Sequence, residues 1–361
     1  MRVCIATGGT GGHIYPAVSF ARAIMDQDVN AEILFIGNND RMEAREIPSL
    51  GFRFIGLDAK GFSGSVFAKA DAIVRMLKSR KKALAILKEF NPDCVVGFGG
   101  YVTVPVITAA TKLHIPTILH EQNSYAGKAN RVLASGVDAI VTCYQENNGQ
   151  FPYAKTHLLG NPRTYELKNL TDDPELLESF GLRKDKPTVL IVMGSLGSES
   201  VNAIMVDVLE SLRTEDLQII YVTGRKHYET FISKIDEDVN LKIVPYVDQL
   251  KLMKIIDLIV CRGGATTAAE ITAVGLPSII IPSPYVPNNH QVLNAKALAD
   301  NGAAMMIEEK DMNVKTLTKG ILDLVGHPER LRVMGGHAKR LGKPLAAQQM
   351  VALMESIVKG K

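Results

Sequence analysis

Four glycines within five positions, closed by a histidine, make Gly8-Gly9-Thr10-Gly11-Gly12-His13 the stretch of this sequence most suited to chemistry. It follows a short apolar run and precedes Ile14-Tyr15-Pro16-Ala17, whose proline suits a first helical turn. Loop N–H groups and a helix N-terminus then face an anionic or polar ligand; the competing reading is a tight structural turn. Histidine is the side chain that titrates near neutral pH, so His13 is a candidate general base. The bland alternative is a ring donating to a nearby backbone carbonyl. Gly97-Phe98-Gly99-Gly100-Tyr101-Val102 ends another run, its paired glycines admitting either a ligand or a packed helix. His120-Glu121-Gln122-Asn123 is a polar cluster at the end of the next, where substrate pockets form. There Asn123 is a candidate ligand contact, and Glu121 is either a second candidate base or a buried scaffold residue.

The second half holds three comparable stretches. Gly194-Ser195-Leu196-Gly197-Ser198 offers the Ser195 hydroxyl and backbone donors to a phosphate, or is a plain strand-to-helix turn. Arg262-Gly263-Gly264 opens onto Ala265, Thr266, Thr267, Ala268, Ala269 and Glu270, a second helix start whose N–H groups suit a diphosphate. Glu270 either accepts from ribose hydroxyls or is an ordinary first-turn acid. Residues 283–291 end in Asn288, Asn289, His290 and Gln291, amides and an imidazole suited to sugar hydroxyls, or simply a loop.

Several classes are excluded. The glycine loop lacks the Lys-Ser/Thr of a nucleotide-triphosphate loop. As a dinucleotide fingerprint it puts Ile14 where the third glycine belongs, and Gly37-Asn38 stands where an acid is expected. With 22% charged residues and a net charge of +3, the chain has no field large enough to hold nucleic acid. Cys4, Cys94, Cys143 and Cys261 are far apart in apolar runs and read as core residues in a reducing compartment. No carboxylate cluster suggests a metal, and no cofactor is expected.

The elements that must position these residues are legible as recurring Val- and Ile-rich runs. Residues 3–6, 32–36, 94–97, 117–120 and 139–142 form one series, and 188–193, 218–223, 242–244, 258–261, 278–281 and 304–307 a second, separated by helix-length sequence. Unbroken apolar runs of this length are buried parallel strands. Two doubly wound α/β halves follow, 361 residues being ample for two cores. The Gly160-Asn161-Pro162-Arg163 break puts the boundary at 162, giving domains 1–162 and 163–340 with a C-terminal helix, 341–361, expected to return to the first half. No secretory leader and no spanning stretch is read, so a cytoplasmic protein is expected. From Lys60 to Glu89, basic residues interleave with Phe62, Val66, Phe67, Ile73, Val74 and Leu77, a pattern either of a helix resting on anionic lipid or of a solvated helix with its stripe in the core.

Taken together, these motifs resemble the MurG glycosyltransferases, with Gly99-Gly100-Tyr101-Val102, His120-Glu121-Gln122-Asn123 and His290-Gln291 among the shared marks. The resemblance covers nearly the whole chain. It implies a GT-B fold, two Rossmann-like domains facing across a cleft, and an inverting transferase. The donor is UDP-N-acetylglucosamine and the acceptor the 4-hydroxyl of undecaprenyl-diphospho-N-acetylmuramoyl-pentapeptide (lipid I), forming lipid II of peptidoglycan. It further implies that Ser195 and the N-terminus at Ala265 hold the diphosphate, Val247 meets uracil through its backbone, and Glu270 binds ribose. Gln291 beside His290 holds sugar hydroxyls, while Thr10, Gly11, Gly12, Asn123 and Arg163 complete the sugar and acceptor end. A peripheral place on the cytoplasmic membrane face and other cell-wall synthesis proteins as partners belong to the same expectation. Met193 and Gly263 depart from the family pattern at two phosphate loops. The rivals are a UDP-N-acetylglucosamine epimerase or a diacylglycerol glycosyltransferase on the same fold, and a nucleotide-sugar sensor without turnover.

Overall fold

Strands made almost wholly of Val, Ile, Leu and Cys can be stable only when both faces are covered, and helices cover them here. The computed structural model describes all residues except 62–64, 174, 195, 196 and 361, and the side chain of Asn169. The chain divides into two units, Met1–Glu166 with Lys343–Lys361, and Leu167–Gly342. Among the described residues of the first unit are β1 (Arg2–Ala6), β2 (Glu32–Asn38), β3 (Arg53–Leu57), β4 (Cys94–Gly97), β5 (Thr117–Glu121), β6 (Ala139–Thr142) and β7 (Thr156–Leu158). They form one parallel sheet in the order β3-β2-β1-β4-β5-β6-β7. Its helices are α1 (Gly11–Gln27), α2 (Glu43–Ser49), α3 (Val66–Phe90), α4 (Thr103–Lys112) and α5 (Lys128–Leu133).

The second unit repeats the plan with β8 (Thr188–Val192), β9 (Gln218–Val222), β10 (Leu241–Val244), β11 (Leu258–Cys261), β12 (Ser278–Ile280) and β13 (Met305–Met306), parallel in the order β10-β9-β8-β11-β12-β13. Its helices are α6 (Glu175–Ser179), α7 (Glu199–Leu212), α8 (Tyr228–Ile232), α9 (Gln249–Leu252), α10 (Ala265–Val274), α11 (His290–Ala299), α12 (Val314–Val325) and α13 (Pro328–Leu341). The last helix, α14 (Ala346–Lys359), lies in the first unit, where Ala347, Met350, Val351 and Met354 share a core with Phe20 and Ile24 of α1. In each sheet the strand order reverses beside the first strand, so the β1–α1 and β8–α7 turns open at a switch point, where ligands of such sheets sit.

The unit boundary falls at 166/167 rather than 162/163. Residues 162–166 still belong to the first core: Tyr165 is buried there, its hydroxyl donates to Asp26, and Glu166 accepts from Ser19 and Arg22 of α1 at 2.9 and 2.8 Å. The return crossing is at 342/343, not 340/341. No disulfide joins the four cysteines; Cys4, Cys94 and Cys261 are buried and Cys143 is half-buried.

Candidate functional site

In the first unit, β1 delivers the chain to Gly8 and α1 begins at Gly11, with exposed Thr10 as its N-cap and no side-chain cap bond. One turn into the helix, the His13 ring folds back on the loop and its Nδ1 lies 2.8 Å from the Gly8 carbonyl oxygen. A carbonyl only accepts, so Nδ1 carries the proton and Nε2 presents the lone pair. The β4 turn closes over that edge. A side chain on Gly99 (φ +100°) would begin 2.9 Å from His13 Nε2, and one on Gly100 (φ +84°) would meet the Gly8 carbonyl at 2.5 Å. The paired glycines are therefore needed twice over, for their positive φ and for the approach of the two turns.

His120 lies beyond, stacked on Phe98 with ring centroids 5.0 Å apart and its Nε2 3.1 Å from the Gly160 carbonyl. Burial drives its pKa down to about 4, against the Gly160 bond and with His13 lowering it further. It is a neutral packing residue. The Cys143 thiol, 3.6 Å from it, is pushed up by burial and by Glu121.

Of the two readings of Glu121, its surroundings suit the scaffold one. Its carboxylate is buried, one oxygen accepting from Asn123 N at 3.1 Å and Asn123 Nδ2 at 3.4 Å, the other from Gly127 N at 2.8 Å and Asn130 Nδ2 at 2.9 Å. Four donors occupy the lone pairs a base must offer. What Glu121 does is orient Asn123 and the loop after β5. Arg163 stacks over Tyr15, 5.2 Å from the ring centroid, and Tyr15 packs beside Gly11, which places Arg163 at the glycine loop.

In the second unit, the turns after β8, β11 and β12 surround a cavity of about 410 Å³ lined by Met193, Gly194, Arg262, Gly264, Thr267 and Gln291, among others. Ser195 lies outside the described residues. Helix α10 starts with Gly264 as N-cap, so the N–H groups of Ala265, Thr266 and Thr267 are those a helix leaves unbonded within itself. Ala268 N donates to the Gly264 carbonyl at 2.9 Å and its side chain is buried, while Ala269, one position on, donates within the helix. Their N–H groups are thereby used within the helix. Glu270 is buried one turn in, taking a bond from Gln249 Nε2 at 3.2 Å. Gln291, which lines the cavity, accepts from Ser283 N at 2.8 Å through Oε1, so its amide NH₂ is its donor end. Gly263 allows α11 close approach, since a side chain there would lie 2.4 Å from the Gln291 carbonyl. Val247 is buried and His290, with Nδ1 bonded to Pro287 O at 2.8 Å, sits at the α11 start; neither lines the cavity.

Two features were missed from sequence. Glu43, fully buried at the start of α2, accepts from Gly9 N and Asn38 N, both at 3.1 Å. No acid ends β2; Glu43, five residues after Asn38 and delivered by the next helix, lies against the glycine loop instead. Arg262 is bound at 2.5 Å to Glu309, at 2.6 Å to Ser198 Oγ and at 3.1 Å to the Ile281 carbonyl, and Ser200 holds the other Glu309 oxygen at 2.7 Å. Among the described residues no group of His, Cys, Asp and Glu is gathered for a metal.

Comparison with known proteins matches residues 3–142 to the glycosyltransferase family 28 N-terminal domain and residues 188–350 to its C-terminal domain. A Bacillus subtilis protein named UDP-N-acetylglucosamine--N-acetylmuramyl-(pentapeptide) pyrophosphoryl-undecaprenol N-acetylglucosamine transferase is 39% identical, covering 99% of this chain and all of the relative. A Halalkalibacterium halodurans protein of the same name is 40% identical with the same coverage. Among solved structures, MurG of Acinetobacter baumannii superposes with a TM-score of 0.78 at 27% identity, over 98% of this chain and 99% of that one. A Listeria monocytogenes protein described as a UDP-N-acetylglucosamine 2-epimerase reaches 0.71 at 13% identity, over 100% of this chain and 97% of its own, a likeness of fold alone.

Proposed function

The chain belongs to the MurG group of glycosyltransferase family 28, and on that premise we propose that it transfers N-acetylglucosamine from UDP-N-acetylglucosamine to the 4-hydroxyl of lipid I, making lipid II with inversion at C1. The observation that carries this reading is the end-to-end identity of 39–40% with transferases of that name. The geometry supports a mechanism. As the acceptor oxygen attacks C1, its proton passes to His13 Nε2, the C1–oxygen bond to the diphosphate breaks, and UDP leaves with the electron pair. Developing charge on the diphosphate meets the N–H groups at Ala265, Thr266 and Thr267, joined by Ser195 in the family pattern, with no resident metal required. Glu270 takes ribose, the Val247 backbone uracil, and the Gln291 NH₂ with His290 the sugar hydroxyls. Thr10, Gly11, Gly12, Asn123 and Arg163 serve the acceptor and sugar end. In this reading the first unit holds acceptor and the second donor.

A peripheral place on the cytoplasmic membrane face belongs to the same proposal. No helix among the described residues is long and apolar enough to cross a membrane. The first half of α3 instead exposes Val66, Phe67, Ile73, Val74 and Leu77 beside exposed Lys69, Lys78 and Lys81, while its later half buries Ala83, Leu87 and Phe90. Phe62 lies outside the described residues. A basic, apolar surface of this kind suits anionic lipid carrying a lipid-linked acceptor.

The test is transfer of label from radiolabelled UDP-N-acetylglucosamine into the lipid phase, with and without lipid I. Acceptor-dependent labelling is expected. Conversion of the donor sugar without acceptor would replace this reading with the epimerase, and donor binding without either with the sensor.

A further inference from the structure

We propose that Glu43 is the positioning residue for His13, acting through the Gly8–Gly9 peptide group. This rests on the reading of His13 as the base. The Gly8 carbonyl and the Gly9 N–H are the two polar ends of one planar peptide unit. Glu43 Oε2 accepts from the Gly9 N–H at 3.1 Å, and the Gly8 carbonyl accepts from His13 Nδ1–H at 2.8 Å. Carboxylate, peptide and imidazole therefore form one line of hydrogen bonds ending at the lone pair of Nε2.

The carboxylate is fixed at its other end as well. Glu43 Oε1 accepts from Asn38 N at 3.1 Å, and Asn38 Oδ1 from Ala59 N at 3.0 Å. Glu43 is fully buried, and a side chain on Gly8 would begin 2.5 Å from Oε1, so nothing but the bare loop fits against it. Hydrogen bonds in a chain polarise one another in a low dielectric. A negative charge on the N–H end makes the Gly8 carbonyl a stronger acceptor, which holds the Nδ1–H tautomer and stabilises the imidazolium formed when Nε2 takes the acceptor proton. That is the service a carboxylate gives a catalytic histidine by direct contact, delivered here across a peptide bond. A role confined to joining the ends of β1 and β2 would use the same two bonds, so the two readings are separated by what Glu43 does to the His13 ring.

The groups facing His13 from the elements around it are few. Gly99 and Gly100 of the β4 turn carry no charge, His120 of β5 is held neutral by burial, the Cys143 thiol behind it is kept protonated, and Glu43 of α2 acts through the peptide. Arg163, stacked over Tyr15 beside Gly11, is the other charged group at this loop, and Glu43 is the one bonded to the peptide that holds His13.

The experiment is a double-mutant cycle of Glu43→Gln and His13→Ala in the full chain, read by transfer rate, donor KM, UDP affinity and pH profile. Glu43→Gln is expected to lower kcat about 30-fold with donor KM and UDP affinity within about twofold, and to move the acid limb of the kcat profile to lower pH. In the His13→Ala background it should add less than about threefold. Independent, multiplicative losses would overturn the proposal, as would a Glu43→Gln rate within about threefold of the parent. A His13→Ala rate equal to the parent would instead overturn the base reading beneath it. Glutamine sets an NH₂ against a backbone donor; if that variant's first unit unfolds at lower urea than the parent's, Glu43→Asp and nitrogen-15 spectra of the imidazoles decide. Retention of the Nδ1–H tautomer in the parent and its erosion in Glu43→Asp support the relay, and an Nε2–H tautomer in the parent, or no erosion, contradicts it.

Discussion

The β1–α1 and β11–α10 junctions are the same device, a parallel strand ending in glycines before an open helix, yet they are wired in opposite ways. In the first, side chains consume the polar ends of the loop peptide: Glu43 takes the Gly9 N–H and His13 the Gly8 carbonyl, and what emerges is one oriented imidazole. In the second, the full charge is consumed. Arg262 is spent on Glu309, Ser198 and the Ile281 carbonyl, its side chain about one-tenth exposed, and what remains for an anion is the N-terminus of α10. Moving a proton needs a fixed lone pair, whereas a diphosphate that must be gripped and then released is served by preorganised dipoles. In the proposed mechanism the first turn handles a proton and the second binds charge, and what distinguishes them is whether the neighbouring carboxylate holds a loop N–H, as Glu43 does, or an arginine, as Glu309 does.

The contrast is sharpened most by closing one turn and leaving the other alone. Gly99→Ala puts a side chain 2.9 Å from His13 Nε2 at φ +100°, so transfer should fall by about 100-fold or more, as for loss of a general base, while UDP titration by calorimetry stays unchanged. Next, Glu309→Ala strands the Arg262 guanidinium in its enclosed site, which should cost about 3 kcal/mol in urea unfolding of the second unit and leave the His13 tautomer untouched. A smaller effect follows from His120. Its folded pKa of about 4 lies below the unfolded 6.5, so the unfolded chain binds the extra proton as pH drops, and stability falls between pH 6.5 and 4 by up to about 3 kcal/mol. His120→Gln should flatten that slope in pH-dependent denaturation. Smallest, replacing exposed Phe67 and Leu77 of α3 by Ser should weaken binding to anionic vesicles about tenfold without changing UDP affinity.

Much of the fold was legible because parallel strands covered on both faces announce themselves as apolar runs; β1, β4, β8 and β11 are where Val, Ile and Cys cluster. The edges were not. Strand β3 begins with an exposed Arg53 and contains Gly56, and β7 is three half-buried residues, so neither carries enough burial to leave a pattern. Loop positions of the site were readable from glycine and polar clusters at strand ends. Side-chain roles were less so. Glu121 looked like a base because a carboxylate beside Asn123 says nothing of the four donors around it, two of them backbone or side-chain groups from residues 127 and 130. Glu43 was invisible for the reverse reason: an acid in the first turn of a short helix looks like a dipole partner, and only the fold brings it under a loop 34 residues earlier.

The most direct measurement is the paired determination of UDP affinity and single-turnover transfer to lipid I for the parent and His13→Ala. Unchanged UDP affinity with transfer lowered by about 10²–10⁴-fold is expected if the two junctions divide proton handling from charge binding. A His13→Ala variant that transfers at the parental rate, or that loses UDP affinity in step with transfer, would contradict it.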